Sequence, residues 1–117
     1  MNRVTIEFHD FDNMDVFQAI WGVASINGFD DVSWHNDAMP CMERVFQFES
    51  KPNVTVKIWI DWKNAEYSDF AELRESGEWK QIAIDELNER EDSMFCFHFD
   101  SAIDAILHLR NVINKYE

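Results

Sequence analysis

The chain has 117 residues, the length of one domain, so residues 1–117 are expected to form a single core. Apolar residues make up 46% and aromatic residues 15%, which is enough for a packed interior and excludes disorder through low hydrophobicity. The 23 acidic and 10 basic residues give a net charge of -13. This charge disfavours direct binding to nucleic acids and to anionic membranes, because both ligands require Lys and Arg.

The lengths of the apolar segments indicate where in the cell the protein is expected. No apolar stretch approaches the roughly 20 residues that a transmembrane helix needs. The first 20 residues carry four acidic side chains and no long apolar run, so the sequence predicts no secretory signal and a cytoplasmic protein. Cys41 and Cys96 are expected to be free thiols, because disulfides are rare in that compartment.

The chain begins with a predicted strand and a predicted helix. Alternating apolar and polar side chains indicate a strand over residues 3–9. Asp12 or Asn13 can cap the following helix, which is expected to run to Asn27 and to end at Gly28 in the left-handed conformation. Apolar residues fill all but one narrow arc of this helix, so it is predicted to be buried on more than one side.

Three strands are predicted next, over residues 31–35, 42–49 and 54–62. The connecting segments 36–40 and 50–53 contain Asn and Pro, and one also contains Asp, which are typical turn residues. The third strand has the clearest alternation. Its two sides carry different residues. Val54, Val56, Ile58, Ile60 and Trp62 are on one side, and Thr55, Lys57, Trp59 and Asp61 are on the other.

The second half of the chain continues with a short helix over residues 66–76 and strands over 79–84 and 94–99, joined by a charged turn at 88–92. A helix over 102–116 follows, with a wide apolar arc that predicts a place in the core. Its apolar residues are Ile103, Ile106, Leu107, Leu109, Val112 and Ile113.

The order of these elements predicts the fold class. Adjacent strands without an intervening helix favour antiparallel pairing, whereas strict alternation of strands and helices would favour a parallel sheet. We therefore expect an α+β fold with a mainly antiparallel sheet of five to six strands. Two main helices cover one face, and one short acidic helix accompanies them.

The acidic residues are concentrated in two stretches. Residues 4–43 contain eight Asp and Glu and no Lys or Arg, and residues 61–92 contain eleven against four. In the second stretch an acid recurs at every third position: Glu66, Asp69, Glu72, Glu75 and Glu78. On a helix, successive acids of this row would advance about 4.5 Å along the axis, so the row would approximate a line of phosphates. Solubility alone would also produce an acidic outer face.

Trp59 is the aromatic residue most suited to contact a partner. The alternation puts it on the solvent side of its strand, and aromatic side chains are frequent anchors at interfaces. The alternatives are that another element covers it, or that its indole lies over Lys57 and Thr55. Tyr67 has the same ambiguity. The predicted partner-binding residues are Trp59, Asp61, Glu66, Tyr67, Asp69, Glu72, Glu75 and Glu78.

No motif of an enzyme is present. The sequence has no nucleophile elbow, P-loop or dinucleotide-binding glycine pattern. Cys96 and His98 share a strand face but lack the spacing of a zinc site. Neither a catalytic residue nor a cofactor or metal is therefore predicted, and the protein is expected not to be an enzyme.

These observations favour an inhibitor of a basic protein. Carboxylates that occupy the nucleic-acid groove of a nuclease or nucleic-acid-binding complex would give fast association steered by charge. A phage protein acting against restriction or CRISPR nucleases, possibly as a DNA mimic, is one such inhibitor. An immunity protein against a nuclease toxin is another. The alternative is a non-catalytic interaction or regulatory subunit in which the apolar helix arcs and Trp59 form a complex or a homodimer.

Overall fold

The structure is a computed structural model that describes residues 11–33, 39–64 and 71–117. Its elements are α1 (Met14–Ala24) with a following 3-10 turn (Ser25–Asn27), β1 (Asp30–Asp31), β2 (Cys41–Phe46), β3 (Val54–Ile60), α2 (Ala71–Ser76), β4 (Ile82–Leu87), β5 (Ser93–Phe99) and α3 (Ala102–Tyr116). The predicted strand over 3–9 lies outside the described residues. Residues 66–70 of the predicted acidic helix also lie outside them. Of the predicted strand over 31–35, Asp31 belongs to β1, residues 32 and 33 are not in a strand, and residues 34 and 35 lie outside the described residues.

The five strands form one antiparallel sheet in the order β1, β2, β3, β4, β5. Each strand pairs with its neighbour in the sequence, and Met42, Ile58, Ile84 and Phe97 are directly opposed across four of them. Short connections produce this order, because antiparallel neighbours can be joined by tight turns. The predicted α+β class with a mainly antiparallel sheet is confirmed.

The hydrophobic core lies between one face of the sheet and helices α1 and α3. Along β3 every second side chain is buried, from Val54 to Ile60, so the predicted alternation of this strand is confirmed. The helices contribute residues at spacings of three and four, which form one face of a helix. These are Phe17, Ile20, Trp21 and Ala24 of α1, and Ala105, Leu109, Val112 and Ile113 of α3.

The helices are less buried than their sequences predict. Ile26, just after α1, is 82% exposed, and Ile103 and Leu107 of α3 are 70% and 56% exposed. The predictions that α1 is buried on more than one side and that the whole apolar arc of α3 belongs to the core were therefore wrong. A helix that packs on a sheet buries the stripe that faces it, and its outer side stays in solvent unless another layer covers it.

The predicted C-terminal end of α1 and the predicted start of α3 are confirmed. The predicted cap at the start of α1 is wrong, because the Asn13 side chain makes no capping hydrogen bond and donates instead to the Asp61 carbonyl and to Gln81, and Asp12 accepts from the amides of Lys63 and Asn64. Gly28 follows α1 with a φ of 84°, a left-handed conformation that glycine adopts without a steric penalty. The amide of Phe29 then donates to the Ala24 carbonyl at 3.1 Å. At the start of α3 the Ser101 hydroxyl accepts from the amide of Asp104 at 3.4 Å, as the capping pattern predicts.

Strand β4 begins and ends three residues later than the predicted strand over 79–84. The predicted strand stopped before Asp85 and Glu86, yet both lie in β4, and Glu86 is 1% exposed on the core side of the sheet. Its carboxylate accepts hydrogen bonds from the Tyr116 hydroxyl at 2.5 Å and from the Lys115 ammonium at 2.6 Å. These partners from α3 satisfy the buried charge, so the strand tolerates it.

The side chain of His108, in α3, packs against β5. Its ring is 4.9 Å from the ring of Phe97 and 5.0 Å from that of Phe99, between centroids. Its Nε2 atom is buried and has no hydrogen-bond partner among the residues that the structure describes. Burial lowers the pKa of His108 below the ordinary 6.5, although the nearby Glu86 carboxylate opposes this shift. Folding therefore favours the neutral imidazole.

This shift predicts a loss of stability in acid. His108 binds a proton more readily in the unfolded chain than in the folded protein. The contribution of neutral His108 to the free energy of unfolding is therefore fully present above about pH 6.5, and it declines as the pH falls through the lower pKa of the folded state. We expect the urea midpoint to fall between about pH 7.5 and about pH 5.5. The His108→Phe variant, which keeps an aromatic ring against β5, should show a smaller fall. An equal fall in the parent and in the variant would contradict this prediction.

Candidate partner-binding surface

The described part of the acidic stretch is α2 and the residues that follow it. Glu72, Glu75 and Glu78 are exposed, as predicted for residues that could contact a partner. Among the described residues no ion pair involves these three carboxylates. Glu66, Tyr67 and Asp69, the other predicted members of this surface, lie outside the described residues. We call Glu72, Glu75 and Glu78 the acidic surface.

Asp61 differs from the other acids because it is buried, with 0% exposure. One carboxylate oxygen accepts from the indole N–H of Trp79 at 2.7 Å and lies 3.4 Å from the Arg74 guanidinium. The other oxygen accepts from the Trp62 amide at 2.8 Å. These bonds are all internal, so Asp61 acts as a structural residue and its predicted contact with a partner does not fit its position.

Asp61 also explains how α2 is held in place. Arg74, in the middle of α2, donates to the backbone carbonyls of Trp62 and Lys63, and its guanidinium lies 3.9 Å above the ring of Trp79. These contacts join α2 to the segment that leaves β3. The short helix therefore depends on one buried ion pair and one stacked side chain, because six residues alone do not form a stable helix in water.

The same contacts turn the charge of Arg74 inward. Its side chain is 15% exposed, whereas Glu72, Glu75 and Glu78 are exposed. Arg74 is the one basic residue within α2. The charged groups that α2 presents to solvent are therefore carboxylates, and the internal pairing with Asp61 leaves them without a balancing cation on the same helix.

Trp59 lies on the sheet face opposite the helices and is partly buried. The Lys57 ammonium is 5.9 Å from its ring, and it also lies 3.9 Å from the Glu43 carboxylate and 3.6 Å from that of Glu91. This contact corresponds to one of the predicted alternatives, in which the indole pairs with Lys57. Trp59 lies near the end of β3, and α2 is anchored at the residues that follow this strand, Asp61, Trp62 and Lys63.

A second feature was not found by sequence reasoning. Phe95 and Phe97 of β5 are 51% and 46% exposed, although their alternation indicates a buried strand face. With His108 and Lys115 of α3 they line an open groove of about 300 Å³, with the buried Glu86 at its base. Periodicity identifies the face of a strand, but it does not reveal whether a helix covers that face completely.

The remaining predictions concern thiols, metals and membranes. Cys41 and Cys96 are both thiols and are not joined in a disulfide, as predicted, and Cys96 is the exposed one. Among the described residues, no three His, Cys, Asp or Glu side chains form a group that could hold a metal ion. In the same part of the chain no helix is long and apolar enough to cross a membrane.

Comparisons with protein-family models, with curated protein sequences and with solved structures find no match to this chain.

The position of Asp61 predicts a large effect on stability. Replacing it with Asn removes the buried charge that faces Arg74, and breaking a buried ion pair costs about 3 kcal/mol or more of unfolding free energy. The matched control is Glu78→Gln, which makes the same chemical change at an exposed position and should cost less than about 0.5 kcal/mol. Urea denaturation measures both values, and a similar small loss in both variants would contradict the structural role of Asp61.

Proposed function

We propose that this protein binds and inhibits a basic nucleic-acid-handling protein, such as a restriction or CRISPR nuclease, in the cytoplasm. The observation that carries the proposal is the acidic surface, where Glu72, Glu75 and Glu78 are exposed while the cation of the same helix faces inward. The net charge of -13 supports it, because self-repulsion of this size opposes folding and exceeds what solubility requires.

The proposed mechanism is occlusion without catalysis. Carboxylates of the acidic surface would pair with the Lys and Arg that normally contact phosphates, so the nuclease could not hold its DNA or RNA. Opposite net charges would also accelerate association. An immunity protein that neutralises a nuclease toxin would use the same chemistry, and the two settings differ in the identity of the partner.

A second candidate function is a non-catalytic interaction or regulatory subunit. It is favoured by the exposed apolar side chains of α3, Ile103 and Leu107, which are 70% and 56% exposed. Apolar residues four positions apart on one helix side can dock into a groove of another protein. In that case binding would depend on burial of these side chains and would change little with salt.

The proposal predicts inhibition that titrates with a fixed stoichiometry. We expect one or more nucleases in a panel of restriction, CRISPR and toxin enzymes to lose cleavage activity as the protein is added, and the loss to be independent of incubation time. Raising salt from about 0.1 M to about 0.5 M should slow association, because the Debye length shrinks from about 10 Å to a few Å. Inhibition that grows with time at substoichiometric protein would instead indicate an enzyme.

Charge reversal tests the acidic surface itself. Changing Glu72, Glu75 and Glu78 to Lys alters the charge by +6 and gives a net charge of -7. Each exposed substitution should change stability by at most about 0.5 kcal/mol, so the fold should survive while binding weakens at least about tenfold.

The matched control reverses three exposed acids at the opposite end of the sheet and also gives a net charge of -7. These residues are Glu49, Glu89 and Asp92. The control should bind nearly as the parent does. Equal weakening of both variants would mean that net charge matters and the acidic surface does not, and loss of binding in a Trp59→Ala variant alone would assign the interface to the sheet face.

A further inference from the structure

The open groove between α3 and β5 combines aromatic walls with a buried acid. Phe95 and Phe97 of β5 line it and remain exposed, whereas the side chain of Glu86, which also lines it, is buried. The other lining residues belong to α3: His108, Asn111, Val112 and Lys115. Aromatic rings beside a carboxylate form a suitable environment for an organic cation, because the face of a ring and the carboxylate both attract positive charge.

A cation of the chain itself already occupies this environment. The Lys115 ammonium is 2.6 Å from Oε1 of Glu86, 4.9 Å from the centre of the Phe95 ring and 4.8 Å from that of Tyr116. One carboxylate and two aromatic rings therefore hold one cation. The Lys115 side chain is nevertheless 49% exposed and has a flexible four-carbon stem. A change of its rotamer is enough to withdraw the ammonium into solvent.

Glu86 can accept more hydrogen bonds than it receives from Lys115. Its described donors, the Lys115 ammonium and the Tyr116 hydroxyl, both reach the same oxygen, Oε1. No donor among the described residues reaches Oε2. A carboxylate can bind a guanidinium as a fork, with one N–H on each oxygen, whereas an ammonium is a compact point charge. The free capacity of Glu86 therefore suits a guanidinium better than it suits Lys115.

We propose that this groove binds an arginine side chain of a partner protein, whose guanidinium replaces the Lys115 ammonium on Glu86. The guanidinium donates to both oxygens of Glu86 and stacks on the exposed ring of Phe95 or Phe97. Lys115 moves into solvent, so one cation is exchanged for another and the buried acid stays paired. The inference rests on the proposed function only for the source of the arginine, because a basic partner carries such side chains. It uses no residue of the acidic surface.

Charge and size favour this occupant over others. Once Lys115 leaves, Glu86 is the charged group that remains among the lining residues, in a chain of net charge -13, so the groove attracts cations and repels anions. An apolar side chain would cover Glu86 without giving it a donor. Pockets that enclose a whole small molecule have volumes of about 300–1,000 Å³. This groove of about 300 Å³ is open, so it suits a single side chain.

An NMR titration with N-acetyl-arginine amide tests the groove without any partner protein. We expect the ring signals of His108 and the amide signals of Phe95 and Phe97 to shift, with a dissociation constant of about 1 to 10 mM for so small a probe. N-acetyl-norleucine amide has a comparable apolar stem without a charge, and it should bind at least about fivefold more weakly. N-acetyl-lysine amide should bind with intermediate affinity, because its ammonium cannot form the fork.

Truncation of one wall tests the role of the aromatic rings. Phe95→Ala removes a ring at an exposed position, so the fold should survive and N-acetyl-arginine amide should bind at least about threefold more weakly. The matched control is Met94→Ala, which shortens the preceding residue, also exposed, and this residue does not line the groove. The control should bind the probe as the parent does. Circular dichroism checks that both variants are folded.

Replacement of the internal cation tests the exchange itself. In the parent, Lys115 must leave before the guanidinium enters, so the apparent affinity is reduced by the fraction of molecules in which the site is open. Lys115→Met should therefore bind N-acetyl-arginine amide at least about fivefold more tightly, and the probe should raise its urea midpoint more than that of the parent. The control is Lys80→Met, which likewise changes the net charge from -13 to -14, at an exposed position outside the groove. It should bind as the parent does.

The same variants separate this inference from the proposed function. With a nuclease that the protein inhibits, Phe95→Ala should weaken inhibition at least about threefold, and Met94→Ala should not. Probe binding without inhibition of any nuclease would refute the proposed function and support the arginine site. Inhibition that Phe95→Ala leaves unchanged would overturn the role of the groove in partner binding.

Three further results would overturn the proposal. One is equal binding of the arginine and norleucine amides, or no shift with either, because a guanidinium site must prefer the charged probe. Another is an affinity of Lys115→Met no higher than that of Lys80→Met, because Lys115 would then not compete for the site. The third is a dimer in sedimentation velocity that Phe95→Ala abolishes, which would assign the groove to a second copy of the chain.

Discussion

The buried carboxylate of Asp61 is the interaction on which the arrangement of the elements depends. It lies just after the central strand β3, where its backbone carbonyl accepts from the Asn13 side chain at the start of α1. Its carboxylate binds Arg74 of α2 and the indole of Trp79. One residue, through its backbone carbonyl and its carboxylate, therefore joins the first helix, the short helix and the approach to β4. A buried charge is stable there because each of its oxygens has a donor.

The same principle organises the charge of the whole molecule. Asp61 and Glu86 are the two buried acids among the described residues, and each takes a cation from a helix, Arg74 and Lys115. Hydrogen bonding to Glu86 raises the pKa of Lys115, so the Lys115 ammonium stays charged at neutral pH. Because Arg74 and Lys115 pair with these buried acids, the charged groups of the exposed surface are mainly carboxylates. A strongly negative surface and a stable core are therefore compatible in one small domain.

Two surfaces of different chemistry result from this organisation. The acidic surface lies beyond the end of β3, and the uncharged edge of β5 lies along the side of the sheet.

The sequence by itself determined the α+β class, the alternation of β3, the C-terminal end of α1 and the start of α3, because periodicity and capping depend on neighbouring residues. It also indicated that Glu72, Glu75 and Glu78 are exposed. Only the tertiary structure decided that Asp61 is internal, that Glu86 belongs to a strand and that Phe95 and Phe97 remain exposed. These outcomes depend on partners distant in the sequence, Arg74, Lys115 and Tyr116, and on how far α3 extends over β5. Local patterns contain no information on either.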